Sequence, residues 1–471
     1  MRIPRPILVA AVLLLCGARL SPTLARELPP QSPGTIPPHG VVGVSEAQLS
    51  PEFWVARLEQ PDRVVMPAEA IAAQNEKLLR LDDSMNDLRD LPEAMTKEEI
   101  VASIAELSTL PDKPLYDVEG KALPAGTLRQ LMQALDLDAI PPQVPIRYGL
   151  ALKRTALRKF PTGLRVFSKQ GETEIDRFQE SALFPGTPVA ISHRSRDGKW
   201  LWVASPHYQA WVLADDIATG AKSAVFDHVE KSPYRVVLGA KISTVFTREQ
   251  PQLSELQLDM GVRVPLASVA SDALVNGQHS YTSWVVELPV RDTNGTLAFA
   301  PALLQKNQDT ASAYLPLTRA NLIRQAFKFL GERYGWGHSY NGRDCSGFVA
   351  EVYRSMGVEL PRNTSDQSVS PALNRTVFGK DDGPGPRQAA VDALQVGDLI
   401  YIPGHVMMMI GRIDGAPYVI HDTNGGSFLD AEGNMRSMHL NAVSVTPLLP
   451  LRFNAKNSYV DSITSIVRIR P

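Results

Sequence analysis

The chain has 471 residues, too many for one hydrophobic core, so several domains are expected. Its content of 44% hydrophobic and 21% charged residues is that of a globular protein, which excludes a chain that is disordered throughout. The formal net charge of -2 provides no broad basic surface, so we expect no nucleic-acid partner.

The N-terminus has the pattern of an export signal. Arg2 and Arg5 precede an apolar run over 7–15, which is too short to span a bilayer. We predict a signal peptide over 1–25 and an exported protein, periplasmic or otherwise associated with the envelope. Two processing routes stay open, because Cys16 lies in a sequence like a lipoprotein box and could carry a lipid anchor, whereas cleavage after Ala25 would give a soluble form.

A proline-rich linker is predicted over 26–47, and a helical accessory and stabilising domain over 48–145. Apolar residues at helical spacing predict helices over 68–81 and 96–107, and a third helix that begins with Thr127 as its cap. This domain contains no group of side chains suited to chemistry. We therefore expect it to support the rest of the molecule.

Short alternating strands replace the helical pattern over 146–222 and again over 223–312. In the first set we predict strands at 165–167, 187–191, 200–204 and 210–212; in the second, at 234–237, 263–269 and 281–288. Each set has the size of a small β-barrel, so two barrels in tandem are predicted. Their tryptophans are expected to fill the barrel cores: Trp200, Trp202, Trp211 and Trp284.

The last domain, over 313–453, is predicted to begin with a helix capped by Thr318. A glycine-rich and aromatic loop then leads to Cys345, which opens a second amphipathic helix. The helix macrodipole favours an anion at this end, so we expect Cys345 to favour the nucleophilic thiolate. The tail over 454–471 is expected to add a closing strand or another packing element.

Two histidines lie on predicted strands of the same domain. His405 begins the strand 405–410, and His421 ends the strand 418–421 across a turn. A hairpin of this kind brings the two rings together, with the helix of Cys345 packed on the sheet. The arrangement predicts a thiol nucleophile, a histidine base that takes its proton, and a second histidine that orients the base.

These residues allow two interpretations other than catalysis. Cys345, His405 and His421 could be ligands of zinc, but no Cys-x-x-Cys or His-x-x-x-His spacing supports a metal site, so we predict no metal and no cofactor. The cysteine could also be an inert core residue. The chain has one other cysteine, in the leader, and a disulfide within the mature protein is therefore not expected.

The last domain resembles the NlpC-type family of papain-like bacterial cell-wall cysteine peptidases. The resemblance is carried by 334–348, Leu360-Pro361-Arg362, Gly397-Asp398-Leu399-Ile400, His405-Val406 and Ile420-His421. The order of a helical region and two barrels is similar to members that carry two bacterial SH3-like domains. The resemblance implies a multidomain α+β fold: a helical N-terminal region, two small SH3-like β-barrels and a C-terminal papain-like α+β domain.

The resemblance also implies roles for individual residues. Cys345 would be the nucleophile, His405 the base and His421 the third member of the triad. The expected substrates are murein peptides, cut between γ-D-glutamate and a diamino acid, and the barrels could contact the cell wall. Six residues would bind the substrate: Asp344 at a free N-terminal amine, Ser346 beside it, Tyr334 and Trp336 along the pocket, and Arg362 and Thr364 at the D-glutamate end.

Related members close one side of the cleft with a barrel loop, which restricts them to peptides that begin with free L-Ala-γ-D-Glu. We therefore expect released stem peptides as substrates, in cell-wall turnover or recycling. Two alternatives stay open on the sequence. The same scaffold supports an acyltransferase or amidase, because a thioester can pass to another amine, and a wall-binding protein could have lost its activity.

Overall fold

The computed structural model describes residues 41–430 and 432–470. The predicted signal peptide, Cys16 and most of the predicted linker lie outside this range. The helices are α1 (Pro51–Val55), α2 (Ala68–Leu81), α3 (Lys97–Leu107), α4 (Ala125–Ala134), α5 (Lys222–Glu230), α6 (Arg319–Phe327), α7 (Cys345–Arg354), α8 (Thr364–Val369) and α9 (Pro384–Asp392). Within the described ranges, no helix has the length and apolarity needed to cross a bilayer.

The N-terminal part of the described chain is helical, with three short strands: β1 (Val64–Met66), β2 (Ala94–Thr96) and β3 (Gln143–Pro145). Helices α2 and α3 lie where the periodicity predicts them, and Thr96 caps α3 by accepting from the amide of Glu99. The predicted cap of α4 is wrong, because Pro124 occupies the N-cap and Thr127 lies inside the helix. Proline suits this position since it has no amide hydrogen to satisfy.

The first barrel is a seven-stranded antiparallel sheet in the order β10-β4-β7-β8-β9-β5-β6. Its strands are β4 (Arg147–Ala151), β5 (Thr155–Arg158), β6 (Gln179–Leu183), β7 (Pro188–Arg194), β8 (Trp200–Ala204), β9 (Gln209–Leu213) and β10 (Ile217–Gly220). The strand predicted at 165–167 is absent, since Phe167 forms only an isolated bridge with Tyr116. Trp200, Trp202 and Trp211 are core residues as predicted, and they pack with Ile100 and Ile104 of α3.

The segment predicted as a second barrel contains one three-stranded sheet and three two-stranded sheets. Its strands are β11 (Tyr234–Val237), β12 (Lys241–Ser243), β13 (Gln257–Asp259), β14 (Arg263–Pro265), β15 (Leu274–Val275), β16 (Gln278–His279), β17 (Ser283–Arg291), β18 (Leu297–Gln305) and β19 (Thr310–Ala311). Apolar side chains from β11, β14, β17 and β18 form its core. Trp284 is only half-buried, and the guanidinium of Arg235 lies 4.4 Å from the centre of its ring.

The C-terminal domain packs α6 and α7 against one face of a six-stranded antiparallel sheet in the order β21-β26-β22-β23-β24-β25. A short strand, β20 (Leu317–Thr318), precedes α6. The sheet strands are β21 (Asn374–Val377), β22 (Leu399–Ile402), β23 (His405–Ile413), β24 (Ala416–Leu429), β25 (Met435–Pro447) and β26 (Ser465–Arg468). Strand β26, from the tail, lies between β21 and β22 inside the sheet.

The first described residues pack into the C-terminal domain and not against their neighbours in sequence. Trp54 of α1 is 1% exposed, and its ring centre lies 5.3 Å from that of Tyr418 on β24. At Gly411 a Cβ atom would lie 2.7 Å from the Trp54 ring, so only glycine allows this approach. Strand β1 also pairs with β20, and the N-terminal segment is therefore part of this domain's core.

Candidate active site

Helix α7 presents Cys345 at its first position. Asp344 is the N-cap, and its carboxylate accepts a 2.9 Å hydrogen bond from the amide of Gly347. Phe348, Val349 and Val352 are fully buried in the core shared by α7 and the sheet. Because this apolar face fixes the helix, the thiol is held on a rigid element at one wall of a cleft of about 520 Å³.

The thiol of Cys345 is 5% exposed and lies 3.6 Å from the Thr364 hydroxyl. Burial, reinforced by the neighbouring Asp344 carboxylate, raises the pKa of Cys345 to about 11. Contacts from Thr364 and from the backbone of Val406 lower it by less. Burial and the like charge of Asp344 therefore oppose the thiolate that the helix terminus favours.

Alkylation tests this protonation state. The rate of Cys345 alkylation by iodoacetamide should rise about tenfold per pH unit from pH 6 to 9 without a plateau, because the thiolate fraction is still rising. The rate is measured by intact mass, with the Cys345→Ala variant correcting for Cys16. A plateau at or below pH 7 would show instead that the thiolate is the resting form.

The two predicted histidines are hydrogen-bonded to each other across the sheet. His405, at the start of β23, places Nε2 at 2.7 Å from Nδ1 of His421 on β24. Burial lowers the pKa of His405 to about 4, and burial together with the adjacent His405 holds the pKa of His421 well below its usual value. Both rings are therefore neutral at pH 7.

The structure brings the three predicted triad residues into one region. Cys345 contacts the backbone of Val406, which directly follows His405 in β23. Because Nε2 of His405 is bonded to His421, Nδ1 is the ring nitrogen left to receive a proton from the thiol. From this neutral resting state, the thiol proton must pass to the imidazole as the sulfur attacks.

Arg362 and Asp344 form a buried, bidentate ion pair, with contacts of 2.8 and 3.1 Å. Burial alone would raise the pKa of Asp344, yet the Arg362 guanidinium lowers it to about 2. The remaining polar contacts of the pair also go to the protein: Ser181, Ser346 and His338 for Arg362, and Gly337, Ser346 and Gly347 for Asp344. Both side chains therefore stabilise the loop at Gly337 and the start of α7.

The other predicted pocket residues differ in whether they line the cleft of Cys345. Trp336 and Thr364 line the cleft with Cys345, and the Trp336 indole donates to the carbonyl of Gln179 at 3.1 Å. Ser346 also lines it, but its hydroxyl is engaged by the Arg362 pair. Tyr334 is 7% exposed and is not among the residues that line the cleft; burial and then Cys345 raise its pKa.

Sequence reasoning missed Glu180 and Tyr208, which lie on the first barrel. Glu180, on β6, lines the same cleft as Cys345, and the Tyr208 hydroxyl donates to its carboxylate at 2.6 Å. Burial raises the pKa of Glu180, while the hydrogen bond from Tyr208 and the charges of Lys159, Arg362 and Arg158 oppose this shift. No motif connects these residues with Cys345, since the packing of β6 against the loop at Trp336 and Gly337 places them there.

A second buried network joins the barrels to α7. The guanidinium of Arg343 is fully buried and contacts Glu351 and Glu332 at 2.6 Å and Asp259 at 2.9 Å. Arg154 of the first barrel reaches the same Asp259 at 2.6 Å. The residue two positions before the thiol is therefore held by both neighbouring parts of the protein.

Family comparison agrees with this architecture. Residues 331–445 match the NlpC/P60 family, and residues 165–213 match the SH3 domain of the SH3b1 type. The chain therefore contains an NlpC/P60 domain, the domain of a family of cysteine peptidases, preceded by an SH3b domain. The predicted multidomain α+β fold and the predicted family are confirmed.

The chain is similar in fold to the structure of an NlpC/P60 endopeptidase from Photobacterium damselae subsp. piscicida. The TM-score is 0.70 at 16% identity, over 88% of this chain and 96% of that one. The chain is 26% identical over 290 residues to a gamma-D-glutamyl-L-lysine dipeptidyl-peptidase of Bacillus cereus (strain ATCC 10987 / NRS 248), covering 57% of this chain and 75% of the relative.

A shorter match is to a dipeptidyl-peptidase 6 of Lysinibacillus sphaericus, 29% identical over 110 residues. It covers 23% of this chain and 34% of the relative, so the chain spans about a third of that protein's length.

Proposed function

We propose that the protein is an exported cysteine endopeptidase that hydrolyses the bond between γ-D-glutamate and a diamino acid in murein stem peptides. The observation that carries the proposal is the thiol at the start of α7, which contacts the backbone of Val406 next to His405 and lines a cleft with Glu180 of the first barrel. His405 is in turn hydrogen-bonded to His421. The Bacillus cereus relative named as a gamma-D-glutamyl-L-lysine dipeptidyl-peptidase supports the substrate class.

In the proposed reaction, Cys345 gives its proton to Nδ1 of His405 as sulfur bonds to the γ-carbonyl carbon. Amide groups at the start of α7, which have no acceptor within the helix, can stabilise the oxyanion. The carbon–nitrogen bond then breaks, and His405 returns the proton to the leaving amine. Water next attacks the thioester with His405 as base, releasing the γ-carboxylic acid and restoring the thiol.

Glu180 supports a preference for peptides with a free N-terminal L-alanine. A substrate ammonium could donate directly to this carboxylate beside the Tyr208 hydroxyl, and a charge-assisted hydrogen bond in a partly buried cleft is strong. Asp344 was expected to bind this amine. Since its oxygens are occupied by Arg362 and by amides, we propose that Glu180 receives the amine and that Asp344 holds the loop before α7.

The direct test is incubation of wild-type protein with L-Ala-γ-D-Glu-diaminopimelate, its N-acetylated form and intact sacculi, with products identified by mass spectrometry. Cleavage of the free tripeptide before the diamino acid is expected, with little release from sacculi. An adduct with an added amine would identify a transferase, and a released lactoyl sugar an amidase. Binding to sacculi without turnover of any substrate would point to a wall-binding protein.

The Glu180→Gln variant should lose the preference for a free N-terminus. We expect kcat/KM for the free tripeptide to fall about tenfold or more, while the N-acetylated peptide changes little, because only the former brings an ammonium. Glu174→Gln is the matched control, since Glu174 lies on the same barrel and pairs with Arg333 at the rim. An unchanged ratio between the two peptides would exclude Glu180 as the receptor.

The SH3b domain provides a second proposed contact, with the cell wall. We also propose that the protein is exported and that Cys16 could carry a lipid anchor. Both proposals rest on the sequence, because the leader lies outside the described residues.

A further inference from the structure

The histidine pair continues to a third side chain. Thr446, on β25, places Oγ1 at 3.0 Å from Nε2 of His421, on the edge of the ring opposite the bond to His405. Thr446 is 0% exposed and His421 is 1% exposed. Bulk water therefore does not reach this contact, and the hydroxyl is the partner that the structure provides for that nitrogen.

A chain of two neutral imidazoles and a hydroxyl can be polarised in two directions. In one direction, His405 Nε2–H donates to His421, and His421 Nε2–H donates to Thr446, which leaves a lone pair on His405 Nδ1. In the other, Thr446 donates to His421 and His421 donates to His405. His405 then carries its proton on Nδ1 and cannot take one from the thiol.

We propose that Thr446 is a positioning residue that accepts from His421 and so holds both histidines in the tautomers that leave His405 Nδ1 free to act as a base. The inference rests on the proposed function, since it assigns His405 the role of base. Thr446 lies on a different strand from either histidine, in register with Val419, so its contact is independent of the hairpin that joins them.

A Thr446→Val variant keeps the shape of the side chain and removes the oxygen. A buried Nε2–H would then have no acceptor, which favours the reverse tautomer of His421. We expect kcat to fall about tenfold to a hundredfold with KM nearly unchanged, and Thr446→Ser to restore most of kcat. Ser444→Ala is the control, because Ser444 is on the same strand and its hydroxyl bonds to the carbonyl of Ala442.

Nitrogen-15 NMR of the imidazole rings gives a readout that does not depend on activity. In the wild-type protein, His421 should carry its proton on Nε2 and His405 should also carry its proton on Nε2, with signals assigned by single His→Gln variants. Protonation of His421 on Nδ1 in the wild-type protein would overturn the inference, even if Thr446→Val fails to fold.

The two hypotheses can fail separately. If the wild-type protein hydrolyses no murein peptide but shows the expected tautomers, the proposed function fails while the effect of Thr446 on the tautomers stands. If the wild-type protein is active and Thr446→Val keeps its kcat, or Thr446→Ser is as impaired as Thr446→Val, the positioning role fails while the peptidase stands.

Discussion

Replacing Cys345 with alanine is expected to abolish hydrolysis of L-Ala-γ-D-Glu-diaminopimelate, with a loss in kcat of about 10⁴-fold or more. The physical reason is that Cys345 is the nucleophile of the proposed site, so without it no thioester forms. Cys345→Ser should be nearly as inactive, because a serine hydroxyl is deprotonated far less readily than a thiol. Peptide turnover is measured by mass spectrometry at saturating substrate.

The other cysteine supplies a matched control for this experiment. Cys16→Ala should retain full activity, since Cys16 lies in the predicted leader. Residual turnover of Cys345→Ala within tenfold of the wild-type rate would exclude covalent catalysis by this thiol. Circular dichroism would establish that each variant is folded.

Replacing Arg343 with methionine is expected to lower the free energy of unfolding by about 3–5 kcal/mol. The side chain is fully buried among Glu351, Glu332 and Asp259, and its removal leaves carboxylates close together without their shared cation. The measurement is the urea midpoint of unfolding. Arg343 does not line the cleft. We therefore expect its replacement to lower the free energy of unfolding more than it lowers peptide turnover.

Arg333→Met is the control for burial. Arg333 pairs with Glu174 at 2.8 Å, but its side chain is 55% exposed, and exposed pairs contribute less than about 1 kcal/mol. Equal midpoints for the two variants would show that the Arg343 network contributes no more than a surface pair.

The parts of the fold that follow from local sequence were predicted well. Thr318 caps α6 by accepting from the amide of Asn321, and Cys345 opens α7, because caps and apolar spacing act within a few residues. Strands β22, β23 and β24 lie close to the predicted positions for the same reason. The resemblance of 334–421 to known peptidases also placed Cys345, His405 and His421 in one domain.

The parts that depend on distant contacts could not be predicted. Glu180 reaches the cleft because β6 packs on the loop before Cys345, and Thr446 reaches His421 through a third strand. Neither contact leaves a local pattern in the sequence. The burial that raises the pKa of the Cys345 thiol is set by tertiary packing too, whereas the neighbouring Asp344 carboxylate is visible in the sequence.

The packing of Trp54 against Gly411 and Tyr418 affects how the chain folds. Residue 54 is synthesised long before residue 418. The Trp54 indole therefore has no packing partner on β24 until the segments between them have been synthesised. Closing so long a loop is entropically costly and makes late assembly slow. The C-terminal domain is therefore not expected to be stable when it is separated from the N-terminal segment. A fragment that begins at residue 313 would lack Trp54 and would expose the apolar surface that Trp54 covers.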